Sequence, residues 1–161
     1  MVRAPAGKVT ALNLAVISAG LLAYISSFLP WYRTSVSILG IERSASVNAW
    51  NAGFGAWFSV LLMVAAGGWV LVSTLGRLRL PVSGPLIALS LSVLAFVTMV
   101  LRWATFPDAT NGLDEGSFDL GSAALTASSG PGSGLYLALI AAVVAMVAAL
   151  LTFRTAGATF D

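Results

Sequence analysis

Four stretches of the chain, residues 9–29, 54–75, 85–101 and 135–153, are strongly apolar and contain no Asp, Glu, Lys or Arg. A bilayer crossing takes about 20 apolar residues, so each stretch predicts a membrane-spanning helix. The third is the shortest, and the uncharged residues from Leu80 onward let it lengthen at its first end. Arg or turn-forming residues flank each run where a crossing should stop. The first run has the basic start of a secretory leader (Arg3, Lys8), but it exceeds the roughly 7–15 apolar residues of such a leader, and we expect it to be retained as a span. The predicted fold is an all-α membrane protein: a four-transmembrane-helix bundle forming one integral membrane domain over residues 1–161.

Between the first two runs, loop 30–53, the pattern changes period. Tyr32, Thr34, Val36 and Ile38 alternate with Arg33, Ser35 and Ser37, Leu39-Gly40 offers a turn, and Ile41, Arg43, Ala45 and Val47 alternate on the return. That is the signature of a β-hairpin lying over the helix ends. Asn48 is the predicted N-cap of a helix entering the second span near Ala49. The second connection, GRLRLPVSG, is short enough to make its flanking helices antiparallel neighbours. Loop 102–134 is long and polar, with one short element expected around Phe118–Leu125 and a SSGPGSG hinge before the last span.

Composition narrows the class. Hydrophobic residues make up 58% of the chain and charged residues 9%, against about 25% charged in a soluble domain; mean hydropathy is +0.95. The few charges set an orientation. With the N-terminus inside, Arg3, Lys8, Arg77, Arg79 and Arg154 face one acid, Asp161, on the inner side. The outer side then carries Arg33, Arg43 and Arg102 against Glu42, Asp108, Asp114, Glu115 and Asp119. This follows the positive-inside rule, and it accounts for the basic balance without nucleic acid. Both termini are expected in the cytoplasm of a cell (inner or plasma) membrane. Arg outnumbers Lys in an Ala-, Gly-, Val- and Leu-rich chain, a bias of high-GC bacteria.

Cys and His are both missing, which excludes disulfide frameworks, thiol nucleophiles and the usual zinc, copper and haem ligand sets. We expect no cofactor and no metal. Glycine near the loop acids could favour Ca²⁺, but the spacing fits no EF-hand loop. Walker, nucleophile-elbow and metal motifs do not occur, and the four cores hold no ionisable residue, which argues against a pump. An enzyme acting on an outer-leaflet substrate would need Asp108 or Asp114 to converge with Arg33 or Arg102. Asn13, one turn inside the first span, should bond a neighbouring helix.

Two patterns remain. Trp31, Tyr32, Trp50, Trp57, Trp103 and Tyr136 crowd the outer interface, whereas only Trp69 lies toward the inner half; such rings form a headgroup-level belt, pack the loop onto the bundle, or line a groove. Small residues recur every four positions at Ala11, Ala15, Ala19, Ala23 and Ser27, and again at Ala141, Ala145 and Ala149, a spacing that lets helix backbones approach closely in lipid. The candidate interaction surface is therefore Trp31, Tyr32, Glu42, Arg43, Trp50, Trp57, Arg102, Trp103, Asp114 and Glu115.

The segments SFLPWYRTSVSILG, NAWNAGFGAW and GSGLYLAL together resemble small uncharacterised membrane proteins of actinobacteria, over most of the chain. The layout is also similar to that of claudins, which place a Trp after the first span, a hairpin, and a second Trp before the second span; Trp31 and Trp50 fit that order. Claudins' paired loop cysteines have no counterpart, and Gly53 stands where the first would fall. The resemblance implies a four-helix fold with an elaborated first loop and carries no activity with it. By subtraction, the expected function is a non-catalytic accessory or assembly subunit of a larger envelope complex, partnered by other integral membrane subunits and lipids; the alternative is a lipid-handling protein using an outer aromatic groove.

Overall fold

The computed structural model describes residues 10–38, 41–75, 84–105 and 126–157, with the backbone alone for 36–38, 41–43, 126–128 and 156–157. Four helices, α1 (Ala11–Ser26), α2 (Phe54–Thr74), α3 (Gly84–Ala104) and α4 (Ser133–Gly157), are joined by a small sheet of β1 (Tyr32–Ile38), β2 (Ile41–Val47) and β3 (Thr126–Pro131). Each helix packs on its two sequence neighbours in a closed ring, with α4 returning to α1.

Three helices, α2, α3 and α4, are long and apolar enough to cross a membrane. The first apolar run makes a shorter helix than its length predicts. At 1.5 Å per residue, the 16 residues of α1 reach about 24 Å. Thr10 caps its start, its hydroxyl accepting from Asn13 N at 3.2 Å. Its end is set by Ser26 and Ser27, whose hydroxyls donate back to Ala23 O at 2.8 Å and Tyr24 O at 2.6 Å. The chain then tightens through Leu29 N to Ser26 O, 3.1 Å, ahead of Pro30, which cannot continue it. The third run lengthens at its far end, past Leu101 to Ala104, which places Arg102 and Trp103 inside the last turn of α3.

Helix α4 inverts the habit of water-soluble cores. On α4 the buried residues are Leu135 and a series of alanines, including Ala138, Ala141, Ala142, Ala145 and Ala149, while Ile140, Val143, Val144, Val147 and Leu151 are exposed. Large apolar side chains outward and small ones inward suit a hydrocarbon solvent, where helices gain by close approach rather than by hiding oil from water. Ala19 and Ala23 of α1 are buried in the same way, Ala15 half-buried and Ala11 exposed. Ser59 and Ser92 are fully buried but donate to carbonyls of their own helices, Ala56 O at 2.7 Å and Ala88 O at 2.8 Å.

Helices α1 and α2 approach closely at two glycines. A Cβ on Gly20 would stand 2.8 Å from Met63 O and 3.4 Å from Gly67 Cα. Gly20→Val is therefore expected to force the helices apart and to lower stability by about 1–3 kcal/mol. Gly68, whose Cβ would meet nothing within 4 Å, should accept Ala without loss. Thermal unfolding of the two variants in the same detergent checks the contrast; equal behaviour would place the contact elsewhere.

At the sheet end, β1 and β2 form the predicted antiparallel hairpin, from Tyr32 opposite Val47 to Ile38 opposite Ile41. Two expectations are corrected there. Asn48 does not cap α2: its Oδ1 accepts from Asn51 N at 3.1 Å and closes a turn. The helix begins later, behind Gly53, whose φ of +96° suits a residue without a side chain. The hinge before the last span is in part a strand, since β3 pairs antiparallel with β1 and makes the sheet order β2-β1-β3. The element expected around Phe118–Leu125 lies outside the described residues.

Candidate functional site

The end of α1 is a socket for two tryptophans. Trp31 is wholly buried, and its indole Nε1 donates to Ser26 O at 3.0 Å. Trp50 is 38% exposed and donates from Nε1 to Ser27 Oγ at 3.0 Å, with its ring 6.2 Å from that of Phe28. Trp31 also ties the sheet together through its backbone: its N donates to Val47 O at 2.8 Å, and its carbonyl accepts from Gly132 N at 2.6 Å. One residue thus joins α1, β2 and the start of α4.

Next along β1, Tyr32 points to α3. Its half-buried hydroxyl donates to Arg102 O at 3.2 Å, and the Arg102 guanidinium lies over its ring at 5.4 Å, within cation–π range. Arg102 Nη2 donates to Ala52 O, while its Nε is buried without a partner. Gly53 and Gly55 lie beside this side chain at the start of α2, where a Cβ on either would make ordinary contact with Arg102 atoms, at 3.6 and 3.8 Å. Tyr32, Thr34, Val47, Asn51, Ala52, Arg102 and Ser129 line an open pocket of about 170 Å³.

Burial pushes the Tyr32 phenol above its ordinary value of 10.0, an effect that the Arg102 charge and hydrogen bond partly offset. A raised phenol pKa means that the fold prefers the protonated form, so the associated stability is intact below pH 10 and is lost as the pH climbs beyond it. Alkaline unfolding should accordingly steepen above about pH 10, and Tyr32→Phe should flatten that limb. Identical profiles for the two proteins would show that Tyr32 does not couple to folding.

The predicted aromatic collar separates into parts. Trp57 belongs to a cluster on the first turns of α2, edge-on to Phe54 at 4.9 Å and to Phe58 at 6.4 Å. Trp103 and Tyr136 are about half exposed. A groove shared by Trp31, Trp57 and Trp103 is not present among the described residues, because Trp31 is sealed in the core. Glu42 and Arg43 stand in β2, opposite Ser37 and Val36, with their side chains outside the description; Asp108, Asp114, Glu115 and Asp119 lie outside the described residues altogether. Asn13 does not bond a neighbouring helix within them, and instead lines a cavity of about 240 Å³ at the opposite end with Ser73, Thr74 and Thr152. Trp69 closes that end, donating to Gly84 O at 3.0 Å.

The sequence reading singled out none of Ser26, Asn51 and Ser129, and gave Ser27 a helix-packing role and Thr34 a place in the hairpin rather than a role at this site. The Ser-Ser pair interrupting an apolar run was the available signal for Ser26 and Ser27. Among the described residues, the sheet end offers a cation, hydroxyls, amides and backbone edges, a chemistry of binding and orientation. Comparison with family models and with curated proteins finds no match for the chain.

Proposed function

We propose that the protein is a non-catalytic accessory or assembly subunit of a bacterial cell-envelope membrane complex, spanning the membrane four times with both termini in the cytoplasm. The observation that supports this is the three-stranded sheet. It is fixed to the bundle by Trp31, Tyr32 and Trp50, and among the described residues no strand pairs with the outer edge of β2. Edges of that kind are templates for an added strand. Arg33, Ser44 and Ser46 are exposed beside them, giving a polar rim suited to a protein neighbour.

Photo-crosslinkers at Ser44 and Ser46 should capture one discrete membrane protein in cells, whereas one at lipid-facing Leu94 should not. Cysteine at Ser44 should also react with an impermeant thiol reagent from outside, and cysteine at Ser83 should not. Crosslinks to nothing but lipid at all three sites would sink the subunit reading, and a reactive Ser83 position with a silent Ser44 position would invert the orientation.

Lipid handling is the second reading, supported by clefts on both flanks of α1 rather than by an aromatic groove. One, of about 370 Å³, is lined by Leu22, Ile25, Ile140 and Val144. The other, of about 270 Å³, is lined by Gly20, Tyr24, Gly67 and Leu71. Both are apolar enough for acyl chains.

A further inference from the structure

Strand β2 is an edge whose outward backbone groups are symmetric about one residue. The carbonyl of Val47 accepts from Trp31 N at 2.8 Å, so Val47 turns its peptide groups toward β1, and by alternation Ala45 and Arg43 do the same. Glu42, Ser44 and Ser46 turn theirs the other way, to the side on which no strand pairs among the described residues. Ser44, Ala45 and Ser46 are all exposed there, and an open pocket of about 300 Å³ lies beside Pro30, Arg33 and these three residues. The two faces of the sheet also differ. Tyr32 is buried and bonds the last turn of α3, whereas Arg33, in the alternate position, is exposed. A line perpendicular to the sheet therefore runs along the bundle.

We propose that β2 pairs antiparallel with β2 of a second copy of this chain, about a two-fold axis through Ser44. The proposal rests on the subunit reading for the edge being occupied, and it names the occupant. Ser44 then faces Ser44 and Glu42 faces Ser46, each pair exchanging two backbone hydrogen bonds, so that all the outward residues are used. An axis at Glu42 would oppose two carboxylates and one at Arg43 two guanidiniums, and like charges directly opposite are unfavourable. An axis at Ala45 or Ser46 would run Glu42 off the end of the facing strand at Val47. Charge adds to this choice. Arg33 stands opposite Ser46, so Glu42 of the second copy falls in the same row and on the same face, two strand spacings or about 10 Å away. The two long side chains meet over the small Ser46, once on each side of the axis. That axis, perpendicular to the sheet, runs along both bundles, as a closed pair of chains inserted in the same direction requires.

The chain has no cysteine, so single substitutions read the register directly in membranes treated with a mild oxidant. Ser44→Cys should give a disulfide-linked dimer, because residues facing in a hydrogen-bonded pair stand about 5.5 Å apart between Cα atoms, within the span of a disulfide. Ser46→Cys should stay monomeric on the same gel, since its two copies lie about 13 Å out of step along the strands. Arg33→Glu should raise the dimer dissociation constant in lipid vesicles about tenfold, by turning two attractions into repulsions, and adding Glu42→Arg should restore it. A Ser44→Cys chain that stays monomeric, a Ser46→Cys chain that links as readily, or a charge swap that does not restore pairing overturns the proposal. A photo-crosslinker at Ser44 that captures a different membrane protein also overturns it and leaves the subunit reading standing, whereas capture of lipid alone removes both.

Discussion

Trp31→Ala is expected to release the sheet from the bundle and to cost about 3–5 kcal/mol, the usual range for emptying a buried aromatic site. The indole is fully enclosed, and its loss also strips the hydrogen bond that ends on Ser26 O. Trp50→Ala should behave differently. That ring is 38% exposed and bonds a hydroxyl that already donates to its own helix, so about 1 kcal/mol is at stake. Hydrogen exchange of the amides in β1, β2 and β3 separates the two: fast in Trp31→Ala, near wild type in Trp50→Ala. Unchanged exchange in Trp31→Ala would mean that Tyr32 and Arg102 alone hold the sheet.

Gly132→Ala should be as damaging by the opposite route, overfilling rather than emptying. The segment from β3 into α4 crosses directly over the Pro30-Trp31 backbone, with Gly134 N donating to Pro30 O at 2.9 Å. A methyl group on Gly132 would overlap the Pro30 carbonyl oxygen and come within 2.7 Å of its carbon. Backbone cannot rotate away as a side chain can, so about 3 kcal/mol or more is expected. Gly130, two residues earlier, would meet nothing within 4 Å, and Gly130→Ala should be close to neutral. Yield of monodisperse protein and the unfolding midpoint report both; a tolerated Gly132→Ala would mean that the crossing is looser than drawn.

How far the fold is legible in the chain depends on the range of the forces that make each part. Helices and the hairpin are local: an uncharged apolar run and a period-two alternation announce them directly, and α2, β1 and β2 follow those signals closely. Strand β3 is different. Its sequence, TASSGP, has little apolar alternation, and it is a strand because β1 offers it a free edge, a partner far away in sequence. The glycine contact of α1 and α2 was hidden for a related reason. Repeats of Ala within one helix can be counted, but the choice of Gly20 and Gly67 depends on where two helices cross. The cavity at Arg102 was the least accessible, since Thr34, Asn51 and Arg102 share nothing until β1, the turn and α3 are assembled. Trp31 and Trp50 were marked by their positions, but their different burial follows from Ser26 and Ser27 ending α1 where they do.

The pairing of β1 with β3 also dictates an order of events during biogenesis. Ser35 and Ser128 face each other in the sheet, yet two whole helices separate them in the chain, so their pairing closes a long loop and must come after those helices are in place. Until then β1 has only β2 beside it, and a lone two-stranded hairpin is marginal in water. A nascent chain arrested before β3 would therefore display a frayed hairpin with two open edges, and protease access to residues 32–47 would fall only when synthesis passes β3. The sheet is in effect a seal applied late in folding, once β3 has been made.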